Sequence, residues 1–249
     1  MLAIVSAMQE EIAAVIDSLA GLKAQEFGKR QFHTGKFRGT DTVVVFSRYG
    51  KVAAAATVTQ LLASYPVTRL VFSGVAGALR PGLNIGDIVV ATTLVQHDMD
   101  ATPLFKRYEV PLLGKSHFAT DPDLRERLSL AAKQFLADDL NCLVPHAELA
   151  FFNMTSPKVV GGVIASGDKF FADAAEVATL RQRLPEVCCV EMEGAAVAQV
   201  CDEYSVPFGV VRTISDSADA GAPGDFRRFS QQIARYYSAG IIARFLQDD

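Results

Sequence analysis

The hydrophobic positions of this chain fall into short apolar runs separated by stretches of helical spacing. Leu2 to Ala7 has no polar alternation, the pattern of a strand covered on both faces. Ile12, Val15, Ile16 and Leu19 then share one face of a helix predicted over 10–19. Phe32 to Phe46 predicts a hairpin, with turn signals at Thr34-Gly35-Lys36 and Arg38-Gly39-Thr40. An alanine-rich helix over 51–64 precedes a buried strand over 69–73, which ends in Gly74-Val75-Ala76-Gly77. A β-branched run over 85–94 predicts another strand, and 96–120 reads as one long irregular loop. Asp121 is placed to cap an amphipathic helix over 121–136. Further strands are predicted over 159–166, 187–190 and 207–214, with helices over 174–183, 194–204 and 227–246.

Apolar strands separated by helices imply an α/β fold: a three-layer αβα sandwich around a central mixed sheet. No linker, repeat or low-complexity run divides the chain, so one domain over 1–249 is expected. In such sheets ligands sit at the carboxyl ends of the strands. That rule selects the residues just after each apolar run.

Composition narrows the function. The formal net charge is −4, with no basic excess to follow a phosphate backbone, so nucleic-acid binding is disfavoured. The apolar start carries no basic residues and is too short for a signal peptide or a membrane span, which places the expected protein in the cytoplasm without a membrane partner. Cys142, Cys188, Cys189 and Cys201 form no C-x-x-C pair and are expected as buried, reduced thiols. His33, His97, His117 and His146 lack ligand spacing, so neither a metal nor another cofactor is expected.

Four strand ends bring polar groups into view. They are Met8-Gln9-Glu10-Glu11, Gly74 to Gly77, Glu191-Met192-Glu193, and Arg212 with Ser215 and Asp216. A carboxylate at a helix start is usually a solvated charge favoured by the helix dipole, which suffices for Glu10 and competes closely for Glu11. Gly74 and Gly77 read most simply as a tight strand-to-helix turn, and they lack both the Walker spacing and the G-x-G-x-x-G fingerprint. Glu191 and Glu193 follow a buried strand and precede a small-residue helix, where unpaired charges are costly, so a functional reading gains weight. Arg212 and Asp216 follow P-F-G-V-V; a structural ion pair between them is the competing reading.

Taken in order, these segments resemble the nucleoside phosphorylase/nucleosidase superfamily, and in particular the 5′-methylthioadenosine/S-adenosylhomocysteine nucleosidases. The resemblance rests on A-M-Q-E-E at 7–11, G-K-V-A-A-A at 50–55, S-G-V-A-G-A-L at 73–79, G-D-I-V-V at 86–90 and H-D-M-D-A-T at 97–102. It continues with S-G-D-K-F-F at 166–171, V-E-M-E-G-A-A at 190–196 and V-P-F-G-V-V-R-T-I-S-D at 206–216. It implies a nucleoside phosphorylase-like fold and hydrolysis of the N-glycosidic bond of an adenine nucleoside. It implies Glu11 as the base for the attacking water and Asp216 as the acid at purine N7. Glu193 would hold the ribose hydroxyls, with Met192 against the sugar. Phe170 would stack on adenine and the Phe171 backbone would read its edge. Arg212 and Ser215 would support the two carboxyl groups, and Glu191 would stand behind them. Met8, Val75, Ala76, Tyr49 and Phe226 would complete the pocket. The family precedent is a homodimer in which the 97–113 loop, with Phe105, closes the partner's 5′ pocket; a loop anchored on its own subunit is the alternative.

The chemistry is coherent on its own terms. Glycosidic cleavage passes through an oxocarbenium-like state that needs a leaving-group acid, a carboxylate near the sugar and a placed nucleophile. Asp216, Glu193 and Glu11 answer those needs. The rivals are a phosphate-dependent phosphorylase and a non-catalytic nucleoside-binding module. In the hexameric phosphorylases an Arg and a Ser serve phosphate where this chain has Phe72 and Val75, neither of which donates a hydrogen bond. Some nucleosidases carry a hydroxyl residue at the position of Val75, and a smaller aliphatic residue is common at that of Tyr49. The stretch from Asp138 to Lys158 is longer than in compact relatives, and could be a lid, a dimer contact or an ordinary excursion.

Overall fold

The computed structural model describes residues 1–247. Strand β1 (Leu2–Ser6) is buried throughout and is followed by α1 (Gln9–Asp17). β2 (Ala20–Phe27), β3 (Arg30–Phe37) and β4 (Thr40–Phe46) form an antiparallel meander. The predicted hairpin therefore has a third strand. β2 lies at the sheet edge with nearly every residue exposed, so no buried face imposes a pattern on it. α2 (Lys51–Ser64) leads to β5 (Arg69–Ala78), which continues straight through the glycine-rich segment expected as a turn.

After β6 (Ile88–Gln96), the expected loop contains a short strand, β7 (His117–Ala119), paired with β6. Asp121 caps α3 (Pro122–Gln134) as predicted, accepting from the Leu124 N–H at 2.9 Å. A π-type turn at Phe135–Asp139 leads to two short helices, α4 (Leu140–Leu143) and α5 (His146–Phe151). Then come β8 (Val159–Ser166), α6 (Ala174–Arg183), β9 (Val187–Glu191), α7 (Gly194–Glu203) and β10 (Phe208–Asp216). The closing helix predicted over 227–246 is two helices, α8 (Ala222–Gln232) and α9 (Ala234–Phe245), joined at the buried Ile233.

The ten described strands form one mixed sheet in the order β10-β6-β8-β9-β5-β1-β4-β3-β2, with β7 beside β6 and an additional β10–β5 pairing. β5 is the pivot. It runs parallel to β1 and β10 along most of its length, and its last residues, Gly77 and Ala78, turn to pair antiparallel with β9. The sheet thus curls back on itself between β5 and β10. Its two faces bury separate cores. One holds Val5, Phe72 and Val210 under α2 and α7; the other holds Ile4, Val71 and Val211 under α1, α3 and α9. Of the cysteines, three are buried, while Cys142 is exposed, contrary to expectation, because the short α4 packs against α9 and turns Leu140 inward instead.

Packing between α9 and the π-type turn is tight enough to test. A Cβ on Gly240 would lie 2.4 Å from Cδ2 of the buried Phe135 ring. Alanine in place of glycine gains about 1 kcal/mol of helix propensity, whereas overpacking a closed core costs about 1–3 kcal/mol. Gly240→Ala is therefore expected to lower the urea midpoint at unchanged m-value. A midpoint equal to or above that of the unaltered protein would contradict this packing account.

Candidate active site

The ends of β1, β5, β9 and β10 converge on one cavity of about 280 Å³. Glu11 stands in the first turn of α1 and is fully buried. Its Oε2 accepts from the Ser6 hydroxyl and from the Met8 N–H at 3.1 Å. Its Oε1 is buried with no hydrogen-bond partner, although the Val75 amide exerts a small lowering pull on the carboxyl. Desolvation dominates, and the Glu11 pKa is pushed up to about 7.

Arg212, on β10, is 1% exposed. Its Nε and Nη2 donate to Glu191 Oε2 at 3.2 and 2.6 Å, and its guanidinium carbon lies 4.0 Å from the Phe72 ring centre. Glu191 is satisfied in turn by the Ser166 hydroxyl and by the amides of Glu193 and Gly194. Arg212 therefore pairs with Glu191, and the competing pairing with Asp216 is excluded. Its remaining nitrogen, Nη1, has no partner. That atom and Glu11 Oε1 both face Gly74, where a Cβ would lie 2.9 Å from Nη1 and 3.2 Å from Oε1. Glycine is needed there because any side chain would fill the space between an unpaired donor and an unpaired acceptor.

Asp216 ends β10. Its Oδ2 accepts from the Ser215 hydroxyl at 2.8 Å and its Oδ1 from the Ala218 N–H at 2.9 Å. Burial outweighs both bonds and raises its pKa to about 6. A Cβ on Gly77 would sit 2.8 Å from Asp216 Oδ1, so the second glycine lets β5 pass the carboxyl closely. Glu193, just before α7, accepts from the Gly50 N–H at 2.9 Å. Desolvation and then the adjacent Glu191 charge raise its pKa to about 8. Three carboxyl groups around one cavity thus hold or release protons near neutrality.

The apolar walls come from the loop after β8, from α8 and from β5. Phe170 and Phe226 meet edge-on at 5.4 Å, with Phe171 buried beside them. Met8, Val75, Ala76 and Met192 line the floor and side, and Tyr49 stands exposed at the rim. All the predicted site residues except Phe105 therefore line the same cavity. Phe105 is half-buried in the loop between β6 and β7, outside the cavity of its own chain. Sequence reasoning missed Ser6, Ser166 and the Gly50 amide, which fix Glu11, Glu191 and Glu193. Ser6 and Ser166 each end a buried strand, so the strand-end rule could have found them. Among the described residues, no group of three or more His, Cys, Asp or Glu side chains could hold a metal ion. Among them, no helix is long and apolar enough to cross a membrane.

The phosphorylase superfamily model matches residues 1–247. The chain belongs to this superfamily. Within the family, it is 33% identical to a 5′-methylthioadenosine/S-adenosylhomocysteine nucleosidase of Shewanella denitrificans, over 98% of each chain. Among solved family members, it resembles the nucleosidase of that name from Neisseria meningitidis, in complex with methylthio-immucillin-A. The TM-score is 0.86 at 31% identity, covering 100% of this chain and 99% of that one. It also resembles a futalosine hydrolase of Helicobacter pylori, with a TM-score of 0.82 at 30% identity over 98% and 96% of the chains. The mixed-sheet architecture expected from the sequence is the fold of these family members.

The raised carboxyl pKa values have a consequence for stability. A folded-state pKa above the unfolded value means that the folded state binds more protons, so stability falls as pH rises between the two. For Asp216 the window runs from 3.8 to about 6, for Glu11 from 4.5 to about 7, and for Glu193 from 4.5 to about 8. The ligand-free protein is expected to lose stability from pH 5 to 8, and Glu11→Gln to flatten that slope. An equally steep slope in Glu11→Gln, measured by denaturant titration at each pH, would rule out this origin.

Proposed function

We propose that the cavity binds an adenosine nucleoside bearing a 5′ substituent and that the chain hydrolyses its N-glycosidic bond with water. One observation carries the reading: an unpaired Arg212 donor and an unpaired Glu11 acceptor share the space over Gly74. A water placed there accepts from Nη1 and donates to Oε1, the few polar partners a bound water needs. As its oxygen attacks C1′, its proton passes to Glu11. The C1′–N9 bond breaks with its electron pair going to the purine, and Asp216 supplies a proton to N7, so adenine leaves neutral. Glu193 holds the ribose hydroxyls and offsets the positive charge developing at the sugar. Phe170 stacks on the base, the Phe171 backbone reads its edge, and Phe226 walls the cavity beside Phe170. Arg212 keeps Glu11 from being neutral throughout, and Ser215 orients Asp216.

Phosphate fits this cavity poorly. A dianion would face Glu11 and Glu193, while the guanidinium is already committed to Glu191. Val75 offers no donor, and Phe72 is buried beneath Arg212. Water is therefore favoured as the nucleophile. Relatives named for methylthioadenosine and adenosylhomocysteine, and a neighbour named for futalosine, support a 5′-substituted adenosine as the substrate class. The working unit is proposed to be a homodimer. Val52, Leu104 and Leu112 are at least 80% exposed, apolar surface that supports a second copy as cover, and Phe105 is proposed to close the partner's 5′ pocket as in the family precedent. The free thiols suit the proposed cytoplasmic compartment.

Purified protein is expected to release adenine from methylthioadenosine in phosphate-free buffer. A requirement for phosphate would favour the phosphorylase, and no release from any purine nucleoside would favour a binding module. Asp216→Asn is expected to lower kcat by about 10²–10⁴-fold, the usual value of a positioned acid, while a nucleoside still binds in calorimetry. A near-normal rate in that variant would remove Asp216 as the acid.

A further inference from the structure

The excursion between α3 and β8 lies against α8, the helix that carries Phe226. Glu148 of α5 accepts from Arg228 Nε at 2.7 Å and from Nη2 at 2.9 Å. The Arg228 guanidinium carbon lies 3.5 Å from the Phe151 ring centre. On the next residue of α8, the buried Phe229 meets Phe152 at 5.7 Å and Tyr237 at 5.9 Å. Two residues before Arg228, Phe226 lines the cavity and touches Phe170. The helix is thus gripped on one side by α5 and presents an aromatic ring on the other.

The excursion is itself pinned to the sheet. The Met154 N–H donates to the Leu149 carbonyl at 2.8 Å, and its side chain fills the space beside Gly86. Gly86 has φ +91°, and a Cβ there would sit 2.5 Å from Met154 Cε. The Gly86 N–H donates to the Ile214 carbonyl at 2.9 Å, two residues before Asp216. Met154 is therefore anchored beside the strand that carries Asp216, and Glu148, Phe151 and Phe152, just before it, hold the helix that carries Phe226.

We infer that this segment is a brace for the aromatic wall of the cavity, in which Glu148 and Arg228 are positioning residues that fix Phe226 relative to Asp216. The inference rests on the reading of the cavity as a purine nucleoside site. The side chains of Arg228 and Glu148 are 40% and 13% exposed, so the pair adds little to global stability. Two parallel charge-assisted bonds nevertheless set a direction, which neither a single contact nor a neutral partner does. The consequence of loosening them falls on ground-state binding of the nucleoside, hence on KM before kcat.

The test is a double-mutant cycle read by phosphate-free adenine release from methylthioadenosine. Glu148→Gln and Arg228→Lys are each expected to raise KM about two- to fivefold, the range open to a partly exposed bidentate pair, with smaller changes in kcat and Tm. In a Phe226→Ala background the same changes are expected to have no further effect on KM, because the ring they position is gone. An equal rise in KM in both backgrounds, or a fall in Tm with KM unchanged, overturns the inference. Unaltered protein that releases no adenine would sink the reading of the cavity, and this inference with it.

Discussion

The site depends on one buried ion pair, Arg212 with Glu191. An arginine in an apolar core is tolerated only with a close, hydrogen-bonded counter-charge. Glu191 supplies it, and the Ser166 hydroxyl and two amides satisfy that carboxylate in turn. The pair leaves Arg212 with a single free nitrogen. Burial raises the pKa values of Glu11 and Glu193 towards neutrality, and the Arg212 charge offsets that rise only in part. Had Arg212 bonded Glu11 directly, the acceptor that faces Gly74 would have been consumed.

The same division recurs at Glu11, where Oε2 is fixed by Ser6 and Met8 and Oε1 is left open. Such an arrangement needs backbones to approach charged side chains closely. β5 meets that need with Gly74 against Arg212 and Glu11, and Gly77 against Asp216. The strand also has three neighbours, so it can bring the ends of β1, β9 and β10 into one place. Curling of the sheet and assembly of the site have the same structural cause.

Much of this was legible in the sequence, for physical reasons. Unbroken apolar runs such as Leu2–Val5 and Phe208–Val211 identified strands because both faces of the sheet are covered. Carboxylates following such runs identified the site because burial of charge needs a reason. The sequence misled where a rule assumes its context. Gly74 and Gly77 read as a turn, yet they are strand residues kept small for the side chains opposite. β2 has no buried face and therefore no alternation. Residues 227–246 have the apolar content of one helix, but burying both Phe229 and Tyr237 is achieved with a break at Ile233. The grip of Glu148 on Arg228 joins residues eighty positions apart, a pairing that no local pattern encodes.

Three carboxyl groups with pKa values between about 6 and 8 cannot all ionise freely around one cavity, and Glu11 and Glu193 each disfavour charge on the other. Burial keeps protons on all three near neutral pH, with Glu191 and Glu11 adding to it at Glu193, and Asp225 and Asp219 at Asp216. A nucleoside would sort them by the chemistry of its own groups. Ribose hydroxyls donate and so favour an ionised Glu193, a water held by Arg212 favours an ionised Glu11, and a purine nitrogen accepts and so favours a protonated Asp216. On this reading the substrate completes the charge pattern that its own cleavage requires, and a ligand lacking either the hydroxyls or the purine nitrogen leaves the protons misplaced.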